Sequence, residues 1–291
     1  MDIGSVMAVV DGSLRSRAAL RAALDLGRTF DARTHLLQIS PAPVMLVPRV
    51  HSVDSHAVDS MMDNLQGLSE HRRLQFERFF EEDVIAHGTP VCECCESNSK
   101  LRKGFGVCKE LVTGHESREI AKRGRLFDIV LIVTPNEDDG GVDSAILEAT
   151  LFDTGRPALL IPSNYAGHLG RCITIAWDGS AEAAKSIHNA MPLIRRAEDI
   201  EVLNIQEGGR FEADPNDIVA YLATHEIAAT AKAVPATQDH VARTLMEAAT
   251  NNDDAMIVMG AYGDNPMKLG GYGDTTRDVI GTAINPIFIA H

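Results

Sequence analysis

Positive charge is scarce in this chain. It sets 27 Lys and Arg against 41 Asp and Glu, a formal net charge of −14 at pH 7. A nucleic-acid backbone is held by clustered basic side chains, so nucleic acid is excluded as the main partner. An anionic membrane surface is disfavoured for the same reason. No apolar run reaches the roughly 18 residues of a membrane-spanning helix. The opening MDIGSVMAVVDGS has neither the basic n-region nor the long apolar core of a secretion signal. These absences lead us to expect a cytoplasmic protein with no membrane partner.

Catalytic signatures are also missing. There is no G-x-S-x-G elbow, no H-E-x-x-H and no G-x-x-x-x-G-K-[ST] phosphate loop. Ser13 and Ser180 each follow Asp-Gly in a turn and read as helix caps, not nucleophiles. No acid–base pair stands out, so the expectation is binding and not catalysis.

Paired C-x-x-C motifs are absent too. The five cysteines are Cys92, Cys94, Cys95, Cys108 and Cys172. An odd number without a secretion signal reads as reduced thiols. Cys92, Cys94 and Cys95, with His87 and Cys108 nearby, offer zinc-type donors. Their C-x-C-C spacing fits a zinc site poorly, and an insertion carrying free thiols is the preferred reading. A redox sensor is the third reading, and it requires a thiolate of lowered pKa. His51, His56 and His71 are irregularly spaced and read as solvated side chains. Glu81-Glu82-Asp83 reads as a solvated helix face.

Against these absences, one stretch is dense in information. Residues 256–280 read MIVMGAYGDNPMKLGGYGDTTRDVI. An apolar strand gives way to Gly260, Gly263, Gly270, Gly271 and Gly273, and Asp274, Thr275 and Thr276 then open a helical pattern. Glycine permits close backbone approach to a ligand, and a helix N-terminus presents unpaired N–H groups. Together they form a potential phosphate seat. A plain glycine-rich turn is the alternative.

The 291 residues suffice for two domains, and 45% of them are hydrophobic, enough for real cores. Strand-like runs and helical patterns alternate, and the order repeats. VVDGS at 9–13 matches AWDGS at 176–180; HLLQI matches EVLNI; DIVLIV matches DAMIVM; RPALLIP matches NPIFIA. Such order is the mark of an internal repeat. We divide the chain into 1–165, with insertions at 40–63 and 91–107, and 166–291. Alternating apolar strands and helices predict parallel sheets covered on both faces.

These residues resemble the universal stress protein family, in tandem, over nearly the whole chain. The family pattern is a strand ending in Asp, and later Gly, two residues, Gly, nine residues, Gly, then Ser or Thr. Here Gly260, Gly263 and Gly273 keep the spacing, and Asp274 departs from it. The resemblance implies two tandem open parallel five-stranded sheets flanked by helices, the Rossmann-like α/β fold of the adenine-nucleotide alpha-hydrolases. It implies ATP or AMP, with Mg²⁺, bound in the second half, and leaves slow ATP hydrolysis open. Asp178 would face the ribose, with Ala176 and Trp177 beside the base and Ile205 near the adenine. Packing in the core is the preferred alternative for Trp177. Met259, Gly260 and Gly263 would line ribose and phosphates. Gly273, Asp274, Thr275 and Thr276 would offer phosphate donors. Asp264 and Asp274 add like-charge repulsion of about 1 kcal/mol each at a phosphate. The first half keeps Asp11 and Ser13 but has Thr134-Pro135-Asn136 where the Gly-x-x-Gly should stand, and reads as a non-binding copy. Family members pair through their last strands, so RPALLIP and NPIFIAH are expected to pair antiparallel in an intramolecular pseudo-dimer. A homodimer and an unidentified protein partner complete the expectations. A nucleotide-free interaction scaffold is the rival reading.

Overall fold

The computed structural model describes residues 2–41, 55–92, 104–135, 142–165, 169–206, 213–236, 241–249, 255–261 and 274–291. The first half supplies strands β1 (Ser5–Val9), β2 (Arg33–Pro41), β3 (Gly106–Gly114), β4 (Ile129–Val133) and β5 (Ala158–Ile161). The second supplies β6 (Cys172–Ala176), β7 (Asp199–Gln206), β8 (Thr230–Pro235), β9 (Ala255–Gly260) and β10 (Ile287–Ala290). They form one sheet of ten strands, ordered β3-β2-β1-β4-β5-β10-β9-β6-β7-β8. Neighbours are parallel throughout except β5 and β10, which run antiparallel with Leu159 opposite Phe288. The two expected five-stranded sheets are therefore fused edge to edge, through the segments anticipated from the sequence.

The helices are α1 (Arg17–Phe30), α2 (Ser55–Phe80), α3 (Glu116–Gly124), α4 (Val142–Glu148), α5 (Ala181–Ile194), α6 (Pro215–Ala223), α7 (Val241–Ala249) and α8 (Asp274–Thr282). Apolar residues of α1, α2, α5 and α6 pack on one face of the sheet, those of α3, α4, α7 and α8 on the other. The central strands are apolar on both sides, as a doubly covered parallel sheet demands. Each core crosses the seam. One contains Leu131, Leu159, Phe288 and Val258, the other Ile132, Leu160, Ile287 and Ile257. No helix of the described residues is long and apolar enough to cross a membrane.

Several local expectations shift. Ser13 does not cap α1: Ser16 N–H donates to Ser13 Oγ (3.2 Å) and Ser16 Oγ to the Ser13 carbonyl (2.9 Å), holding an extra turn before the helix starts at Arg17. Segment 40–63, read as irregular, turns helical at Ser55, and 42–54 lies outside the described residues. The helix expected from about Leu65 to His87 is therefore present as α2 and starts about three turns earlier, at Ser55. Strand β3 starts at Gly106, inside the segment 91–107 read as an insertion, and 93–103 is outside the described residues. Cys108 is disulfide-bonded and not a reduced thiol, whereas Cys92 and Cys172 are free.

The repeat also needs a one-residue adjustment. Val6 pairs with Ile129 while its counterpart Ile173 pairs with Met256. Val133 therefore stands where the second half has Gly260, and Thr134 where it has Ala261. The sequence match DIVLIV/DAMIVM had aligned Val133 with Met259. Apolar strands of equal length slide past one another on paper, and hydrogen-bond register decides.

Of Glu81-Glu82-Asp83, Glu81 is exposed and Glu82 partly so, but Asp83 is not solvated. A π-helical turn, Glu81–Ile85, ends α2 and shifts the side-chain phase, and Asp83 is only 8% exposed. It accepts from Arg17 Nε (2.6 Å) and Nη2 (3.0 Å) and from Arg21 Nε and Nη2 (both 3.2 Å). Burial pushes the Asp83 carboxyl up, but the two arginines more than offset it and hold it below the usual carboxylate value.

Two stability predictions follow from this packing. Phe288→Ala should remove about 3–5 kcal/mol from the unfolding free energy in a urea titration, because its ring fills the core on both sides of the seam; a loss under about 1 kcal/mol would refute the shared core. Asp83→Asn should cost about 1–2 kcal/mol at pH 7 by removing charge-assisted bonds, since Arg17 keeps Glu82 and Arg21 is half-exposed. Since the folded carboxyl titrates below the unfolded one, this contribution is complete above about pH 4 and fades as pH falls through the folded value. The gap between wild type and variant should accordingly close in acid.

Candidate functional site

In each half the strand order reverses beside the first strand, between β1 and β4 and again between β6 and β9. Loops leaving the carboxyl ends of these strands diverge to opposite faces and open a crevice, the usual ligand seat of such sheets. The two crevices can be compared residue by residue.

In the second half, Ala176 ends β6 and is half-buried. Trp177 follows, with its N–H donating to the Leu203 carbonyl (2.9 Å) and its carbonyl accepting from Asn204 Nδ2 (2.8 Å). Its ring packs against the core beneath α5, and Nε1 is buried without a partner among the described residues. Asp178 is exposed. Its Oδ1 accepts from Ser180 N–H (2.9 Å) and Ser180 Oγ (2.6 Å) around Gly179, whose φ is +84°. Ser180 Oγ in turn accepts from Ala183 N–H (3.1 Å) and caps α5, as its sequence position predicts. The second carboxylate oxygen of Asp178 has no ion-pair partner among the described residues and faces solvent.

Strand β9 arrives alongside. Met259 is buried in the core, and Gly260 ends the strand. A Cβ on Gly260 would lie 2.7 Å from Ala183 N and 2.9 Å from the Glu182 carbonyl carbon, so only glycine lets β9 reach the first turn of α5. Ala261 N–H bonds the Ala290 carbonyl (3.1 Å), and its own carbonyl accepts from Thr276 Oγ1 (3.3 Å). Thr276 is buried, and its hydroxyl is engaged in tying α8 to β9. Asp274 and Thr275 open α8. Gly263, Asp264 and Gly273 lie outside the described residues. Ile205, near the end of β7, is half-buried and packs on the core beneath α7 and α8.

The structure thus gathers Ala176, Trp177, Asp178, Ile205, Gly260 and the start of α8 at one end of the sheet. Asn204 belongs with them and went unnoticed in the sequence. Its signal was an amide inside the apolar run EVLNI, matched by the equally buried Gln38 in HLLQI.

The first half repeats the loop but not the opening. Asp11 Oδ1 accepts from Ser13 N–H (2.8 Å), and Gly12 has φ +83°. Here α2 lies directly on the loop: a Cβ on Gly12 would overlap the Arg72 carbonyl. Arg72 Nη1 sits 3.6 Å from Asp11 Oδ2, and Arg15 Nη2 donates to the Thr134 carbonyl (2.8 Å) at the end of β4. The crevice is filled by the chain's own helix and two arginines.

The zinc reading gains nothing. Among the described residues no group of three or more His, Cys, Asp or Glu could hold a metal, and Cys94 and Cys95 lie outside them. Cys92 is tied by its backbone to Val107 beside β3.

Comparison with known proteins adds the following. No family model and no curated protein sequence matches the chain. Among solved structures, a universal stress protein from Archaeoglobus fulgidus DSM 4304 superposes with a TM-score of 0.67 at 14% identity, covering 98% of this chain and 97% of that one. A functionally unknown protein from Pseudomonas aeruginosa PAO1 gives 0.57 at 14%, with 99% and 92% covered. At this identity the likeness speaks for architecture, and it spans both halves in both chains. The chain has the fold of a tandem universal stress protein.

Proposed function

We propose that this chain works as a cytoplasmic universal stress protein, a stress-response regulator that binds an adenine nucleotide, ATP or AMP, in the crevice of its second half. The observation that carries the reading is the difference between the two crevices. Asp178 stands open beside Gly260, whereas Asp11 is covered by α2 and faced by Arg72. In this reading Asp178 accepts from the ribose hydroxyls, Ala176 and the Trp177 backbone border the base, and Ile205 closes its far side. Backbone N–H groups from the Gly260–Gly273 loop hold the phosphates. Trp177 works from the core, since its backbone is pinned by Leu203 and Asn204. The first half serves as the structural partner, and the output passes through a protein partner and not through chemistry.

Asp264 and Asp274 set the ligand preference. Each acid near a phosphate opposes binding by about 1 kcal/mol or more, and Mg²⁺ relieves this by bridging carboxylate and phosphate.

Isothermal titration with AMP, ATP and Mg²⁺-ATP tests the proposal. AMP and Mg²⁺-ATP should bind, and metal-free ATP several-fold more weakly. Asp178→Ala should weaken binding about tenfold or more, the value of a charge-assisted hydrogen bond, while Asp11→Ala leaves it unchanged. No heat with any of the three nucleotides would remove the nucleotide reading and leave the interaction scaffold.

A further inference from the structure

Helix α3 ends in a tight turn just before β4. Leu126 N–H donates to the Arg123 carbonyl (2.9 Å) and Phe127 N–H to the Gly124 carbonyl (3.1 Å). A Cβ on Gly124 would lie 2.6 Å from Thr154 Cγ2, so the turn is pressed against the residues ahead of β5. Phe127 turns inward and packs against the core. Its neighbour Leu126 is left pointing outward, 79% exposed. A single exposed leucine is ordinary on a protein surface. What surrounds this one is not. Arg118 and Lys122 stand one turn apart on α3, Arg125 follows one turn later, and all three are exposed. Arg156, exposed ahead of β5, donates from Nε and Nη2 to the Arg125 carbonyl (3.2 and 3.0 Å). Arg125 Nε donates in turn to the Asp153 carbonyl (2.9 Å).

The charge of these side chains is not cancelled. None of the four cations has an ion-pair partner among the described residues, because the acceptors that Arg125 and Arg156 find are neutral carbonyls. The acids nearby are engaged elsewhere. Glu119 is bonded to Arg123, and Asp128 accepts from Gly4 N–H and Ser5 N–H (both 2.9 Å). Asp153 remains as an exposed acid beside them, which leaves four positive charges against one. The dipole at the carboxyl end of α3 offsets about half a charge more. In a chain of net charge −14, this is a positive patch built around an apolar point. The second half has no counterpart on α7, whose one cation, Arg243, is paired with Glu247 (2.9 Å).

We propose that this surface docks the protein partner of the proposed function, and that the partner presents an acidic segment with an apolar side chain that covers Leu126. The inference rests on the partner in that reading and not on the nucleotide. Clustered cations attract an acidic segment at long range and speed the encounter. Burial of Leu126 then supplies affinity, since exposed ion pairs contribute little by themselves. The turn is already held by its own backbone bonds, so docking orders little that was free. Nucleic acid fits the surface less well. No exposed aromatic ring stands among these residues for a base to stack on, and the chain's net charge of −14 repels a polyanion.

Fluorescence anisotropy of a labelled peptide, EDLLEELEDE, with the full chain provides the test. No nucleotide is added, so the result is independent of the nucleotide titration. The peptide should bind with a Kd on the order of 100 μM, and the same peptide with alanine for leucine about tenfold more weakly. Leu126→Ser should weaken binding about tenfold as well. Arg118→Glu with Lys122→Glu should weaken it at least as much and flatten its decline between about 50 and 500 mM NaCl. All three positions are exposed, and circular dichroism checks each variant; if one fails to fold, the two peptides on the wild-type protein decide. A single-stranded oligothymidylate of equal charge should bind more weakly than the peptide. No binding up to about 1 mM peptide, equal binding of the alanine form, or tighter binding of the oligonucleotide would overturn the proposal. So would self-association of the protein that Leu126→Ser abolishes, since the surface would then belong to a second copy.

Discussion

A parallel five-stranded sheet leaves a row of unpaired N–H and C=O groups on its last strand, and here both halves end that way, at β5 and β10. Each of those strands is four residues long and wholly buried. Left alone, either would be an apolar edge inviting association. Pairing them antiparallel satisfies both rows at once and lets the two cores continue across the seam. The outer edges that remain are of another kind. Strand β8 is mostly exposed and carries Lys232 and Pro235, residues that discourage further pairing.

The seam also fixes where ligands can sit. Because β5 and β10 oppose each other while all other neighbours are parallel, the carboxyl ends of the two halves point in opposite directions. The two crevices therefore lie at opposite ends of the sheet and cannot share one ligand. Each half answers for its own crevice, and they answer differently. In the second half the close contact at Gly260 is made by α5, which packs behind the Asp178 loop and leaves it open. In the first half the close contact is made by α2, which packs at Gly12 on the loop itself.

Much of this was legible in the sequence, for identifiable reasons. Buried parallel strands are continuous apolar runs, and Asp-Gly-Ser turns punctuate them, so the repeat could be read, while the seam partners followed from the family resemblance. What escaped were features decided by tertiary contact. The one-residue shift that aligns Val133 with Gly260 comes from hydrogen-bond register, to which an apolar run is blind. Asp83 looked solvated because a run of three acids usually is, and the π turn that buries it has no sequence signature. The bond from the Thr276 hydroxyl to the Ala261 carbonyl joins residues 15 apart and shows only in the fold.

Buried titratable groups are placed differently in the two halves. Among the described residues, the buried titratable side chains His35 and Asp83 both belong to the first half; the buried polar groups of the second, such as Thr174, Ser186, Asn204 and Asn285, are neutral. A buried ion pair adds little stability over apolar packing, but it penalises every arrangement that leaves one partner alone. Asp83, gripped by Arg17 and Arg21, thus fixes the end of α2 against α1, and Arg72, about three helical turns earlier, is delivered onto Asp11. The helix that the anchor holds is the one that fills the first crevice. The second half carries no such anchor among its described residues, and its Asp178 stays open to solvent.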